Sequence, residues 1–202
     1  MEIKVRYSPI FDCSDKLSSF AHQEWFQPYL SERKSEKRRA EFIAAIAVLR
    51  DLLGFEPRIA YLDNGKPYLL NSQSNISISH CKDYVCVAVS DKYNVGIDIE
   101  QVTPRIDALA QRYMTADEFA AYEARFIKGC GQQEAREYAT LVWCSKEAVY
   151  KIIGDSVADF PTNQQITSDS SGFYGKVIST GKTIQLKNLA APNNHIIVLA
   201  YD

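Results

Sequence analysis

The sequence predicts an α+β fold assembled as two similar α+β halves, residues 1–102 and 103–202, and three observations carry that expectation. A long apolar-rich helical segment followed by short strands occurs twice, roughly once per hundred residues, although no residue-by-residue repeat accompanies it. Each helical segment runs into a glycine, Gly54 or Gly154, a natural C-terminal stop. A chain of 202 residues with 46% hydrophobic and 24% charged residues is an ordinary globular composition, long enough for one large core or two small ones.

Taken in order, "MEIKVRYSPIF" alternates like a first strand, and "SSFAHQEWFQPYL" predicts a helical region that Pro28 ends or bends. In "SEKRRAEFIAAIAVLRDLLG" the apolar positions 42, 43, 46, 49 and 53 recur at helical intervals up to Gly54. "RIAYLDNGKPYLL" predicts a short strand and a turn at Asn64-Gly65, "NISIS" and "YVCVAVS" two tightly connected strands, and "VGIDIE" a further strand that closes the first half. After Pro104, "MTADEF" predicts a capping box in which Thr115 and Glu118 satisfy backbone donors at the start of a helix reaching about Ile127. Two glycines in "KGCGQQ" interrupt it, "EAREYATLVWCSKEAVYKIIG" predicts the second long helix, and "GFYGKVIS", "KTIQLKNL" and "HIIVLAYD" predict three strands.

Composition excludes several function classes. A formal net charge of −2 supplies no bulk attraction to nucleic acid or an anionic membrane, so any anion site must come from local clustering. Five cysteines, at 13, 81, 86, 130 and 144, are odd in number, lack C-x-x-C spacing, and read as reduced thiols of a cytoplasmic protein. The N-terminus has no basic-then-apolar signal pattern, and no apolar run approaches the ~20 residues of a membrane span.

The segment "NVGIDIEQV", residues 94–102, reads as a buried strand carrying two acids. Side chains at i and i+2 of a strand share a face, so Asp98 and Glu100 project together while Ile97 and Ile99 project oppositely. At roughly 7 Å and an effective dielectric of ~20 the two charges repel by about 2 kcal/mol. A divalent cation relieves that repulsion, and Mg²⁺ favours one or two carboxylates with water and phosphate oxygens; a hydrated strand end is the plain alternative. In "WCSKEAVYK", residues 143–151, Lys146, Glu147 and Lys151 lie on an otherwise apolar helix. Glu147 and Lys151, at i and i+4, fit an ordinary ion pair, or a third metal acid beside a phosphate-binding lysine.

Three stretches in this order, "GKPYL" with "ISISHC", then "VGIDIE", then "WCSKEAVYK", spanning residues 65–151, resemble the 4′-phosphopantetheinyl transferases of the surfactin-synthetase-activating type. The resemblance implies the fold of that family: two α+β subdomains related by a pseudo-two-fold axis, with the site between them, in a monomer. It implies transfer of 4′-phosphopantetheine from coenzyme A to a serine of an apo acyl or peptidyl carrier protein, releasing adenosine 3′,5′-bisphosphate. It further implies that Asp98, Glu100 and Glu147 hold Mg²⁺, or Mn²⁺, against the CoA pyrophosphate. Glu147 is then the candidate base toward the carrier serine, and Lys151 stabilises the leaving phosphate. Lys146 is implied as a phosphate or carrier contact. Lys66 and Pro67, in the Gly65-Lys66-Pro67 turn, approach the nucleotide, and Ser79 and His80 grip CoA phosphates.

In "SERKSEKRR" five basic residues, Arg33, Lys34, Lys37, Arg38 and Arg39, read as a solvated helix face; the resemblance offers Arg38 or Arg39 as a contact to the CoA 3′-phosphate. His22 and His195 have no motif around them. The chain departs from the family pattern in two places: Cys81 follows Ser79-His80 where serine is usual, and the long first-half helix carries Ile46, with only Arg50 beyond, where relatives often have an arginine. Met114, Phe119, Tyr122 and Phe126 read either as amphipathic-helix core or as a carrier-docking surface. Two other functions fit the same residues: a non-catalytic CoA or carrier-binding module, and another Mg²⁺-dependent enzyme that cleaves a phosphoanhydride.

Overall fold

A computed structural model describes residues 2–11, 26–32, 35–127, 131–154, 162–170 and 172–202, with the side chains of 28, 29, 32, 126 and 127 excepted. Cys13, His22, Arg33, Lys34, Cys130, the side chain of Phe126 and most of the helical region expected over "SSFAHQEWFQPYL" lie outside the described residues.

The first half comprises β1 (Ile3–Pro9), α1 (Gln27–Glu32), α2 (Glu36–Leu53), β2 (Ile59–Tyr61), β3 (Pro67–Leu69), β4 (Asn75–Cys81), β5 (Tyr84–Ser90) and β6 (Val95–Gln101). Helix α2 starts where the Ser35 hydroxyl accepts from the Arg38 backbone N–H at 3.2 Å, and it ends at Gly54, whose φ of +77° suits a residue without Cβ. Residues 41–49 of this helix are buried on every side, packed against Val85, Val87 and Val89 of β5 and Ile76 of β4. An apolar band all round a helix marks a core helix, and Ile46, fully buried, lies within it.

The second half comprises α3 (Arg105–Tyr113), α4 (Ala116–Ile127), α5 (Gln132–Ile153), β7 (Gln164–Asp169), β8 (Gly172–Val177), β9 (Thr183–Leu189) and β10 (His195–Tyr201). The capping box expected before α4 is present: Thr115 N–H donates to Glu118 Oε2 at 2.7 Å, and Glu118 N–H donates to Thr115 Oγ1 at 3.4 Å. Helix α3 and strand β7 were not expected. The signal for α3 was available, because Ile106, Leu109, Ala110 and Tyr113 follow i, i+3, i+4, i+7 directly after Pro104. Strand β7, "QQITSD", has almost no apolar alternation and takes its conformation from pairing with β8.

Among the described residues every strand pair is antiparallel, in sheets ordered β1-β5-β4 and β6-β10-β9-β8-β7, with β2 and β3 forming a separate hairpin. Strand β6, the last of the first half in sequence, thus hydrogen-bonds to the final strand of the chain. Helix α2 covers the smaller sheet and α5 the larger. Between the sheets, Cys81, Cys86 and Ala88 pack on Val95, Ile97, Ile99, Ile197 and Leu199. Burial pushes the Cys81 and Cys86 thiols up to about 12, so both behave as small apolar side chains. Among the described residues no helix is long and apolar enough to cross a membrane.

Candidate active site at the junction of the two sheets

Alternation along β6 decides which side chains reach α5. Val95, Ile97 and Ile99 enter the core between the sheets, leaving Gly96, Asp98 and Glu100 beneath the helix. Gly96 permits the close approach, since a Cβ there would stand 1.9 Å from the Ala148 carbonyl oxygen. The same face of α5 around Ala148 then carries Glu147 and Lys151 to Asp98, and Trp143 to Glu100.

Strand β6 is an edge strand of its sheet, and side chains satisfy the outer backbone groups of Ile97. Ile97 N–H donates to Ser77 Oγ at 3.0 Å, and Lys151 Nζ donates to the Ile97 carbonyl at 2.7 Å. Lys151 Nζ also donates to Asp98 Oδ1 at 2.8 Å, and Ser79 Oγ donates to that same oxygen at 2.6 Å. Asp98 is 4% exposed, and its other oxygen, Oδ2, is buried with no hydrogen-bond partner. Trp143 Nε1–H donates to Glu100 Oε1 at 3.3 Å.

The three carboxylates sense one another. Burial first, then the charge of Asp98, pushes Glu100 up to about 7 and Glu147 up to about 7; Glu147 adds to the rise at Glu100, and Lys151 opposes it at both. Among the described residues no three His, Cys, Asp or Glu side chains close into a ready-made metal cage. The donor set nonetheless fits a hard divalent cation: a buried orphan carboxylate oxygen on Asp98 beside two acids whose shared negative charge is costly without a counter-ion.

The shifts predict how the cation-free protein responds to pH. A folded pKa raised above its unfolded value contributes stability that is complete below about 4.5 and is lost as pH rises through about 7. The melting temperature of wild type relative to Glu147→Gln is expected to fall across that window in chelator, and added Mg²⁺ at pH 8 is expected to cancel the fall. A difference that rises with pH would contradict the buried-acid arrangement.

A groove begins at Lys151, the lysine paired with Asp98. A cavity of about 160 Å³ is lined by Gly65, Lys66 and Pro67 of the β2–β3 turn, by Ser77 and Ile78, and by Lys151 and Gly154 of α5's end. A second cavity, of about 250 Å³, shares Gly65, Pro67 and Ile78 and ends on Arg38, Glu41 and His80. The turn that joins them is set by Gly65 at φ +80° and by the Lys66 N–H donating to Asn64 Oδ1 at 3.1 Å. Arg38 Nη1 lies 3.3 Å from His80 Nε2 and 3.1 Å from Glu41 Oε2. Burial holds the His80 imidazole below its usual pKa, with Arg38 and Lys151 reinforcing and Glu41 opposing.

Asp98, Glu100, Glu147 and Lys151 are therefore brought together, and Lys66, Pro67, His80 and Arg38 line the groove that starts at Lys151. Four expectations need correction. Ser79 does not line either cavity; as the residue before His80 it points to the opposite side of β4, onto Asp98. Lys146 is 0% exposed, with Nζ held by Glu118 Oε2 at 2.7 Å, the Tyr113 carbonyl at 2.7 Å and the Gln164 carbonyl at 2.8 Å, so it cannot reach phosphate or carrier. Lys151 makes its ion pair with Asp98 and not the i,i+4 pair with Glu147. Arg39 is exposed and lines neither cavity. Met114 and Tyr122 are buried core, with Phe119 packed against them. Sequence reasoning missed Glu41, Ser77 and Trp143; for Trp143 the signal was its place four residues before Glu147 on one helix face.

The site thus combines an acid cluster under a helix with a lysine that opens onto a groove ending on arginine and histidine. Residues 94–200 match the model of the 4′-phosphopantetheinyl transferase superfamily, and the chain belongs to that superfamily. It is 38% identical over 96 residues to the 4′-phosphopantetheinyl transferase psf-1 of Bacillus pumilus, covering 47% of this chain and 39% of that protein. It is 27% identical over 146 residues to the 4′-phosphopantetheinyl transferase AcpT of Salmonella typhi, covering 70% and 72%, and 28% identical over 135 residues to HetI of Nostoc sp., covering 60% and 55%.

Proposed function

We propose that this protein transfers the 4′-phosphopantetheine arm of coenzyme A to a serine hydroxyl of an apo acyl or peptidyl carrier protein, releasing adenosine 3′,5′-bisphosphate. The observation that carries the reading is the approach of Glu147 on α5 to Asp98 and Glu100 on β6, with Lys151, the partner of Asp98, opening onto a groove that reaches Arg38 and His80. Arg38 and His80 suit the 3′-phosphate of CoA, the Gly65-Lys66-Pro67 turn suits the nucleotide, and the pyrophosphate then falls beside Lys151.

The serine oxygen forms a bond to the phosphorus that carries the pantetheine, and the bond from that phosphorus to the bridging oxygen of the pyrophosphate breaks. The leaving bisphosphate takes the electron pair. Glu147, with its pKa near 7, is placed to accept the serine proton directly or through one water at neutral pH. Lys151 neutralises charge on the leaving phosphate. Asp98, Glu100 and Glu147 would hold Mg²⁺, or Mn²⁺, whose chemistry there is Lewis-acid stabilisation of the phosphoryl charge. Two α+β subdomains meeting at this site, a monomeric state and a cytoplasmic location complete the reading; the buried, unpaired Cys81, Cys86 and Cys144 support a reducing compartment.

The test mixes the protein with CoA, Mg²⁺ and a panel of apo carriers and follows carrier mass. A carrier that gains one phosphopantetheine with wild type but not with Asp98→Ala supports the transferase. CoA binding with no mass change on any carrier would identify a binding module, and CoA breakdown without a carrier would identify a hydrolase.

A further inference from the structure

The mechanism above leaves one buried hydroxyl at the centre of the site without a role. Ser79 is 7% exposed, lines neither half of the groove, and donates a hydrogen bond to Asp98 Oδ1 at 2.6 Å, a length typical of a charge-assisted bond to a carboxylate. Lys151 Nζ donates to that same oxygen at 2.8 Å, so two donors converge on Oδ1, while Oδ2 of the same carboxylate is buried with no N–H or O–H donor and the Cys144 thiol of α5 lies beside the carboxylate. A carboxylate is otherwise free to turn about χ2, a broad two-fold torsion. Donors from two different elements, β4 and α5, remove that freedom.

We infer that Ser79 is a positioning residue: together with Lys151 it holds Asp98 by Oδ1, so that Asp98 presents the single oxygen Oδ2 to the divalent ion. The inference rests on the transferase reading only in requiring that a divalent ion binds at these acids. The serine makes no contact with substrate in this arrangement. Its influence runs through the carboxylate alone, as partners behind metal ligands do, where their removal costs ~10–100-fold in metal affinity. Ser77, two residues earlier on the same face, has the separate task of satisfying the Ile97 N–H, so the strand uses one serine for backbone and the next for the acid.

The experiment titrates Mn²⁺ alone into the full chain, in wild type, Ser79→Ala, Ser79→Thr and Ser79→Cys, reading the free-ion signal by electron paramagnetic resonance. Thermal melts establish which variants are folded, and the KM for CoA is then measured at saturating metal. Ser79→Ala is expected to weaken Mn²⁺ by ~10–100-fold with the KM for CoA unchanged, and Ser79→Thr, which keeps the hydroxyl, to recover most of the affinity. If Ser79→Ala does not fold, Ser79→Cys, a weaker donor of similar size, carries the comparison in the same direction. Unaltered Mn²⁺ affinity in the variant lacking the hydroxyl overturns the inference, and a raised KM for CoA at saturating metal would make Ser79 a phosphate contact instead. Wild type that binds no Mn²⁺ while still transferring the arm overturns the inference and the metal assignment but leaves the transferase reading standing. Wild type that transfers nothing sinks that reading separately.

Discussion

Glu147→Gln is expected to lower phosphopantetheine transfer by ~10³-fold or more at saturating CoA and Mg²⁺, while leaving the protein folded and at least as stable as wild type above pH 7. General acid–base catalysis alone contributes ~10²–10⁴-fold, and this substitution also removes one of the three acids around the proposed cation. The stability half of the prediction follows from the same geometry. Glu147 is held near 7 by burial and by Asp98, so at pH 8 the folded state carries a charge that its surroundings disfavour. A neutral isostere relieves that cost. Transfer rates from carrier mass, with melts at pH 8 in chelator, check both halves together. A variant that loses activity and stability in parallel would show Glu147 to be a structural acid and would remove the chemical reading of the site.

Lys146→Met is expected to destabilise the protein by about 3–5 kcal/mol, the cost of leaving a buried partner without its counter-charge. Glu118 is the residue left behind: its Oε1 accepts from the Ile166 N–H at 2.7 Å and its Oε2 from the Thr115 N–H at 2.7 Å, so it stays in place with its charge uncompensated. The Tyr113 and Gln164 carbonyls lose a donor as well. The lysine thereby ties α5 to α3, to the start of α4 and to β7, and fixes the rotation of the helix that carries Glu147. The double variant Lys146→Met with Glu118→Gln is expected to recover part of the loss, measured as the shift in urea midpoint at constant slope. A surface phosphate or carrier contact would behave oppositely, with unchanged stability and a raised KM for CoA or carrier.

Adjacent residues with opposite fates show where sequence reasoning reached its end. Glu147 and Lys146 differ by one position on α5, about 100° of helix rotation. The resemblance assigned Glu147 to the acids but took Lys146 for a phosphate or carrier contact, and nothing in the motif shows that this lysine is buried. That is decided by α3 and β7, the two elements whose own patterns were least visible, because they supply the carbonyls and the Glu118 setting that take up the lysine. Ser79 and His80 repeat the lesson on a strand. Alternation sends them to opposite faces, yet only the neighbours of β4 determine that one face holds Asp98 and the other the arginine cavity.

The amino-acid sequence by itself determined the local periods: the acids sharing one face of β6, the capping box before α4, the glycines at the turns and helix ends, and the helical spacing of apolar residues in α2. Those properties follow from backbone geometry over a few residues, which any reader of the chain can compute. The convergence of β4, β6 and α5 on one carboxylate was settled by the tertiary structure alone. It depends on β6 pairing with a strand almost a hundred residues away and on α5 lying against Gly96, contacts whose free energy comes from long-range packing and leaves little trace in local pattern.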